Sequence, residues 1–319
     1  MRRPPARQPP SPPPAGVSVN PALARITTPT RPAYPELGLT KIDVARYYAD
    51  VAAWMLPYVA DRPLTLVRCE LGARSANALR SDCNFLRHGS GWHRWAHPSI
   101  RRVQIPEQKK VGEYLVVDSA EGLVSLIQGD ILEVHCWNST TRNLERPDRF
   151  VFDLDPDPGL AFTRVLEAAI ALRALLARIG LQSWPKLTGG KGLHVVVPFE
   201  PSLDWANAYA FSRVLAETLV REHRHGLTLL FEKARRSGKI LVDYKRNHRA
   251  AIAVAAYSTR AHPNASLSIP VAWDELHPGL AAPQYTLANV RERLATLPAD
   301  PWGDFWGCRQ SLTANLQQG

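Results

Sequence analysis

Three carboxylates stand in settings that suggest chemistry. In FVFDLDPDP (150–158), Phe150, Phe152 and Leu154 fall on one face of an extended strand, and Val151, Asp153 and Asp155 on the other. The apolar face can enter a core, which leaves Asp153 and Asp155 side by side at the strand's end. Two carboxylates that close repel each other, so a divalent cation, a basic side chain or plain water belongs between them. Hard cations take oxygen ligands, and D-x-D at a strand end is one way to supply them. The same residues can instead bond backbone N–H groups in a turn. Asp157, after Pro156, reads as such a turn or cap residue.

A third carboxylate lies in ILVDYKRNHR (240–249), where Leu241 and Asp243 share a strand face and Arg246 and Arg249 follow in one loop. Three converging carboxylates suit two cations roughly 4 Å apart that clamp the attacking and leaving oxygens of a phosphoryl transfer. An ordinary Asp243–Arg salt bridge is the plainer alternative. In LTGGKGLHVVV (187–197), glycines let backbone N–H groups approach phosphate oxygens and Lys191 adds a point charge. The Walker spacing is absent. His194 points with Val196 to one side of this strand and needs a partner, in the core or in a site. Around Asp243, Lys233, Arg235, Arg236, Lys239, Lys245, Arg246 and Arg249 are opposed by Glu232 and Asp243 alone. Such a run is a solvated loop or, beside carboxylates and a glycine turn, a phosphate-binding wall.

The elements that must position these residues follow from periodicity. TKIDVARYYADVAAWMLPYV reads as an amphipathic helix with Thr40 as N-cap, and LTLVRC as a strand. Residues 73–112, rich in Arg, His, Ser and Gly, are too long for a structureless loop and should contain short elements or function. EYLVVDS, ILEVHCW and the quoted segment read as strands, and AEGLVSLIQGD as a short helix. LAFTRVLEAAIALRALLARIG is the clearest helix, ended by Gly180. SWPKLTGGKGLHVVVPF predicts two strands around a glycine turn, and KILVDY with AAIAVAAYS two more around a basic turn. WANAYAFSRVLAETLVREH and YTLANVRERLATL are helical. The pattern predicts an α+β (mixed α/β) fold with central, mostly antiparallel sheets around one cleft.

The 319 residues are 45% apolar, enough for a sizeable core. The net charge of +10 favours a polyanion such as nucleic acid. No run of about 18 apolar residues is present, so a membrane span is not expected. The start MRRPPARQPPSPPP has no apolar h-region and reads as a disordered, basic, Pro-rich arm over 1–25, with one catalytic domain over 26–319. Cys69, Cys83, Cys136 and Cys308 form no C-x-x-C, which argues against a zinc ribbon and for a reduced, cytoplasmic setting.

Together these segments resemble the polymerase domain of bacterial ligase D, a branch of the archaeo-eukaryotic primase superfamily used in non-homologous end joining. The likeness runs in order through RPLTLVRC, EYLVVDSAEGLVSL, ERPDRFVFDLDPDPG, LTGGKGLHVVVP, VDYKRNHRAAIAVAAYSTRA, PVAWDEL and ADPWGDF. It implies a primase-like fold of two central sheets flanked by helices, and a metal-dependent, DNA-directed nucleotidyltransferase. Asp153, Asp155 and Asp243 would hold two divalent cations, Mn2+ or Mg2+, and catalyse attack of a primer 3′-hydroxyl on an NTP or dNTP. Thr188, Lys191, His194, Arg246 and Arg260 would contact the nucleotide, with ribonucleotides preferred near Thr188. Arg31 and Lys41 would grip a 5′-phosphate at a gap or recessed end, and Phe85 and Arg87 would meet the template.

Two departures from the family pattern bear on function. An aromatic pair that stacks on template bases is reduced to Phe85 in NFLRH (84–88), with Asn84 for the other ring and Arg87 for a lysine. In HCWNS, Cys136 replaces proline. No ligase or phosphoesterase motif is seen, so a free-standing, nucleoid-associated polymerase is expected, served by a separate ligase and a Ku-like protein and suited to gap filling. The rival readings are a DNA-end-binding module with little catalysis that recruits such partners, and a metal-dependent phosphohydrolase.

Overall fold

The computed structural model describes residues 21–72, 83–88 and 95–312. Ahead of Ile26, Pro21–Arg25 form a 3-10 turn that buries Ala22. Residues 1–20 of the proline-rich arm lie outside the described residues.

Strands β1 (Pro32–Tyr34) and β2 (Leu39–Thr40) lead into helix α1 (Lys41–Val59). Thr40 caps it as expected: the Asp43 carboxylate accepts from Thr40 N at 2.9 Å and from its hydroxyl at 2.6 Å. Next come β3 (Leu64–Cys69), β4 (Cys83–Leu86), β5 (Ile100–Pro106), β6 (Val111–Val117), α2 (Ala120–Gln128) and β7 (Ile131–Cys136). The polar stretch 73–112 thus contains β4, β5 and the start of β6. The acidic strand is β8 (Arg149–Pro156), followed by α3 (Phe162–Arg178), β9 (Trp184–Leu187), β10 (Leu193–Pro198) and α4 (Trp205–Glu222). The chain closes with β11 (Leu227–Thr228), β12 (Ile240–Asp243), β13 (Ala253–Val254), β14 (Ile269–Pro270) and a short α5 (Val290–Thr296).

The strands form two main sheets, ordered β13-β7-β3-β6-β5 with β4 on β3, and β11-β12-β8-β10-β9-β14. Every pairing is antiparallel except β11 with β12. This is the expected α+β architecture. The apolar face of β8 enters the core: Phe150, Phe152 and Leu154 are fully buried, and Phe150 stacks on Phe211 of α4. Helix α3 buries Val165, Ala169, Leu172 and Leu176 at helical spacing and stops where Gly180 turns left-handed at φ 72°.

Two expectations fail. KILVDY and AAIAVAAYS do not make a hairpin: β13 pairs with β7 in the other sheet. Beyond Asp243, where the pairing of β12 with β8 ends, the Asn247 amide bonds both backbone groups of Val151 (Val151 N at 2.7 Å, O at 3.0 Å). The chain from Tyr244 therefore leaves one sheet and enters the other. The all-reduced cysteine reading fails as well. Cys69 and Cys83 face each other across β3 and β4 and are joined in a disulfide, while Cys136 and Cys308 are free. Their separation of 14 in sequence conceals a cross-strand pair. Among the described residues no helix is long and apolar enough to cross a membrane.

Candidate active site

Strand pairing builds the site. Asp243 of β12 lies opposite Asp153 of β8, and Asp153 lies opposite His194 of β10. Residues opposite one another project from the same face, so Asp243, Asp153 and His194 form a row across three strands. Asp155, two residues along β8, shares that face. These four, with Thr188, Lys191, Arg246 and Arg260, line one cleft of about 430 Å³.

The glycine turn makes this possible. A Cβ on Gly192 would sit 2.7 Å from the Leu154 carbonyl oxygen, so only glycine lets β10 start flush against β8. Gly189 is left-handed at φ +73°, with the Leu267 carbonyl oxygen 2.7 Å from where a Cβ would be. The Thr188 hydroxyl closes the turn, donating to Gly192 O at 2.9 Å and accepting from Gly190 N at 3.3 Å. It is thus already engaged at the place where a ribose contact is expected. Lys191 at the turn is exposed.

Arginines supply the positive charge between the carboxylates. Arg246 lies between two of them, with Nη2 3.2 Å from Asp153 Oδ2 and Nε 3.0 Å from Asp243 Oδ2. Arg236 is buried and holds Asp155 at 2.8 Å. Among the described residues no three His, Cys, Asp or Glu side chains close into a metal-ligand cluster. Burial opposes the charge on Asp153, but His194, Arg246 and Lys186 overcome it and hold the carboxyl well below its usual range. Burial pushes Asp243 the other way; Arg246 opposes the rise and the Asp153 charge adds to it. His194 is pushed down to about 4 by burial and by Lys186, so it stands neutral beside Asp153 at 3.6 Å. Its Nδ1 is buried with no hydrogen-bond partner among the described residues.

The basic stretch divides. Arg236 and Arg246 face the cleft, whereas Arg249 binds Glu145, Arg235 pairs with Glu232 and Lys239 donates to Arg224 O. Arg260 spans the other wall, donating to Thr188 O and pairing with Glu133 at 3.1 Å. Sequence reasoning missed Glu133 and His135, a buried pair 2.8 Å apart on β7. Their signal, polar residues alternating within the apolar strand ILEVHCW, was the same one that exposed His194. It also missed Phe231, which lines the cleft under the Lys245 ammonium, 3.8 Å from the ring centre.

A second groove of about 490 Å³ shares His135, Arg246, Ile252 and Arg260 with the first and runs to Phe85. Phe85 is 66% exposed and meets His135 edge-on. Arg87 donates to Ala250 O. Arg31 and Lys41 come together, but on a carboxylate: both pair with Asp130, at 3.1 and 3.0 Å. Lys41 is buried and also donates to Gln128 O, while Arg31 remains partly exposed.

A family model described as the LigD primase-polymerase domain matches residues 40–302. The chain is 36% identical over 300 residues to a multifunctional non-homologous end joining protein LigD of Pseudomonas aeruginosa, covering 93% of this chain and 34% of that protein. It is 31% identical over 282 residues to the namesake in Mycolicibacterium smegmatis, covering 88% and 35%. It therefore spans about a third of the length of these relatives. The solved polymerase domain of Mycobacterium tuberculosis ligase D, in complex with DNA, superposes with a TM-score of 0.79 at 29% identity, over 88% of this chain and 97% of that one. By sequence and fold alike, the chain belongs to the LigD primase-polymerase domain family and is a polymerase-type nucleotidyltransferase.

Proposed function

We propose that this domain extends DNA at gaps and broken ends in a metal-dependent reaction that prefers ribonucleotides. The observation that carries the reading is the row Asp243–Asp153–His194, set in one cleft that Arg246 and Arg260 also line. Carboxylates and guanidiniums gathered in one cleft suit a triphosphate held against a primer terminus.

The donor set fits divalent cations. Asp153, Asp155 and Asp243 offer carboxylate oxygens, the ligands that Mg2+ and Mn2+ favour; arginine side chains pair with all three, and the Lys245 N–H also donates to Asp243. Bound there, such ions would lower the pKa of a primer 3′-hydroxyl and neutralise charge on the triphosphate. Arg246, Arg260 and Lys191 then take the phosphates, and Arg246 must leave Asp153 and Asp243 to do so. Phe85 stacks on a template base at the end of the second groove. Arg31, the exposed member of its pair, receives a 5′-phosphate, with Lys41 behind it. A Ku-like end-binding protein and a ligase activity, in the same polypeptide or a separate one, complete the joining reaction.

The test is primer extension with Mn2+ on a gap bearing a 5′-phosphate, with matched ribo- and deoxynucleotides. Ribonucleotide addition that disappears in Asp153→Ala supports the reading. Tight binding to DNA ends with no extension under Mn2+ or Mg2+ would overturn it in favour of an end-binding module.

A further inference from the structure

The cross-strand row does not end at His194. On β9, Lys186 lies directly opposite His194, so the order across β12, β8, β10 and β9 is Asp243, Asp153, His194, Lys186. Lys186 is 4% exposed and forms no salt bridge among the described residues. Its Nζ crosses the gap between the sheets, donating to the Val254 carbonyl at 2.9 Å and to the Ser268 hydroxyl at 2.7 Å. Val254 belongs to β13 in the other sheet, where it lies opposite His135. The strand partner of one cleft histidine therefore holds the backbone of the strand partner of the other.

Burying an amine with only dipoles for partners is costly, and a lysine placed so needs a reason. Burial and the Arg260 charge push its ionisation down to about 7. The tie survives that shift, because a neutral amine also donates. A long unbranched stem that ends in a donor reaches a carbonyl on the facing sheet, which an apolar side chain of equal length cannot bond.

We propose that Lys186 is a positioning residue of the nucleotide cleft. It fixes the distance between the sheet that carries Asp153 and His194 and the wall that carries His135 and Arg260, so that a nucleoside triphosphate is gripped from both sides. The inference rests on the polymerase reading for the identity of that ligand.

Lys186→Met keeps length and apolar volume and removes the donor; Ser268→Ala keeps the amine and removes one acceptor. Three quantities are compared with wild type: the melting temperature, the affinity for gapped DNA, and the affinity for a fluorescent ribonucleoside triphosphate analogue with Mn2+. Extension kinetics follow. Lys186→Met is expected to weaken triphosphate binding at least tenfold and to raise KM for the nucleotide more than it lowers kcat. DNA affinity and melting temperature should stay close to wild type, whereas a merely structural residue would change both. Ser268→Ala should shift triphosphate binding the same way, by a smaller factor. Unchanged triphosphate affinity in Lys186→Met overturns the proposal; if that variant does not fold, unchanged affinity in Ser268→Ala does so. Should the wild-type protein bind triphosphate yet never extend DNA, the polymerase reading falls and the binding comparison still decides the role of Lys186. A wild type that binds no triphosphate overturns both.

Discussion

Asp153 and Asp243 face each other across paired strands, and the guanidinium of Arg246 joins them, 3.2 Å from one carboxylate and 3.0 Å from the other. The positive partner that the acidic strand demands is, in the protein alone, a side chain. A divalent cation bound there would have to displace the guanidinium, because the two would compete for the same oxygens. Adding Mn2+ without nucleotide should raise the melting temperature of wild type. At one hundred times the dissociation constant the stabilisation is about 2.7 kcal/mol. In Asp153→Ala the rise should shrink or vanish. An equal rise in both proteins, measured by calorimetry, would place the ion elsewhere.

Asp153→Ala should also lower the extension rate by about a thousandfold or more, which corresponds to about 4 kcal/mol of transition-state stabilisation. A truncated Asp153 retaining a tenth of wild-type activity would remove this residue from the chemistry.

The 5′-phosphate role separates Arg31 from Lys41. Arg31 is partly exposed and Lys41 buried, and both bind Asp130. Arg31→Ala should weaken use of a phosphorylated gap by roughly 10–100-fold, the worth of a charged hydrogen bond, and leave simple primer extension intact. Lys41→Ala should weaken the same substrate and also destabilise the fold, since it removes a buried partner from Asp130. Steady-state kinetics on gaps with and without the phosphate read the difference. Equal loss on both substrates in Arg31→Ala would count against the assignment.

Glu133 gives a pH dependence with a definite sign. Burial works against its charge, but His135, Arg260 and the Ala261 N–H hold its carboxyl down to about 2. A carboxyl depressed in the folded state contributes stability above its unfolded pKa, and that stability is lost as pH falls through the folded value. From about 4.5 down to about 2 the loss amounts to about 3 kcal/mol. Glu133→Gln should therefore be less stable than wild type at pH 7, with the gap closing as pH falls towards 2. Denaturant titrations at several pH values test this, and a gap that widens in acid would refute it.

Phe85 stands alone where two aromatic rings are usual, and it is 66% exposed. Phe85→Ala should cost about 1–3 kcal/mol in template binding, seen as weaker affinity for a single-stranded overhang. No change would mean that template contacts lie elsewhere in the groove.

The acidic strand, Asp243 and the glycine turn could be read from the sequence because period-two alternation fixes which face each side chain takes. Alternation also placed Asp153 with Asp155 and His194 with Val196. Which strands lie side by side is not a local property, so the opposition of Asp243, Asp153 and His194 appeared only in the fold. For the same reason Asp130 went unseen as the shared partner of Arg31 and Lys41, and Cys69 was not matched with Cys83. The alanine-rich AAIAVAAYS carries no alternation at all, and its crossing to the second sheet was misread as a hairpin. The plain salt bridge weighed for Asp243 is present with Arg246, alongside the convergence of all three carboxylates on the cleft.

That crossing has a mechanical corollary. The stretch from Tyr244 to Ile252 is the strap between the two sheets, and Arg246 rides on it. The strap is anchored in both sheets, and Lys186 ties the same two sheets beside the cleft. The spacing of the two sheets therefore sets where the guanidinium sits over the acidic edge, and any change in that spacing would shift it.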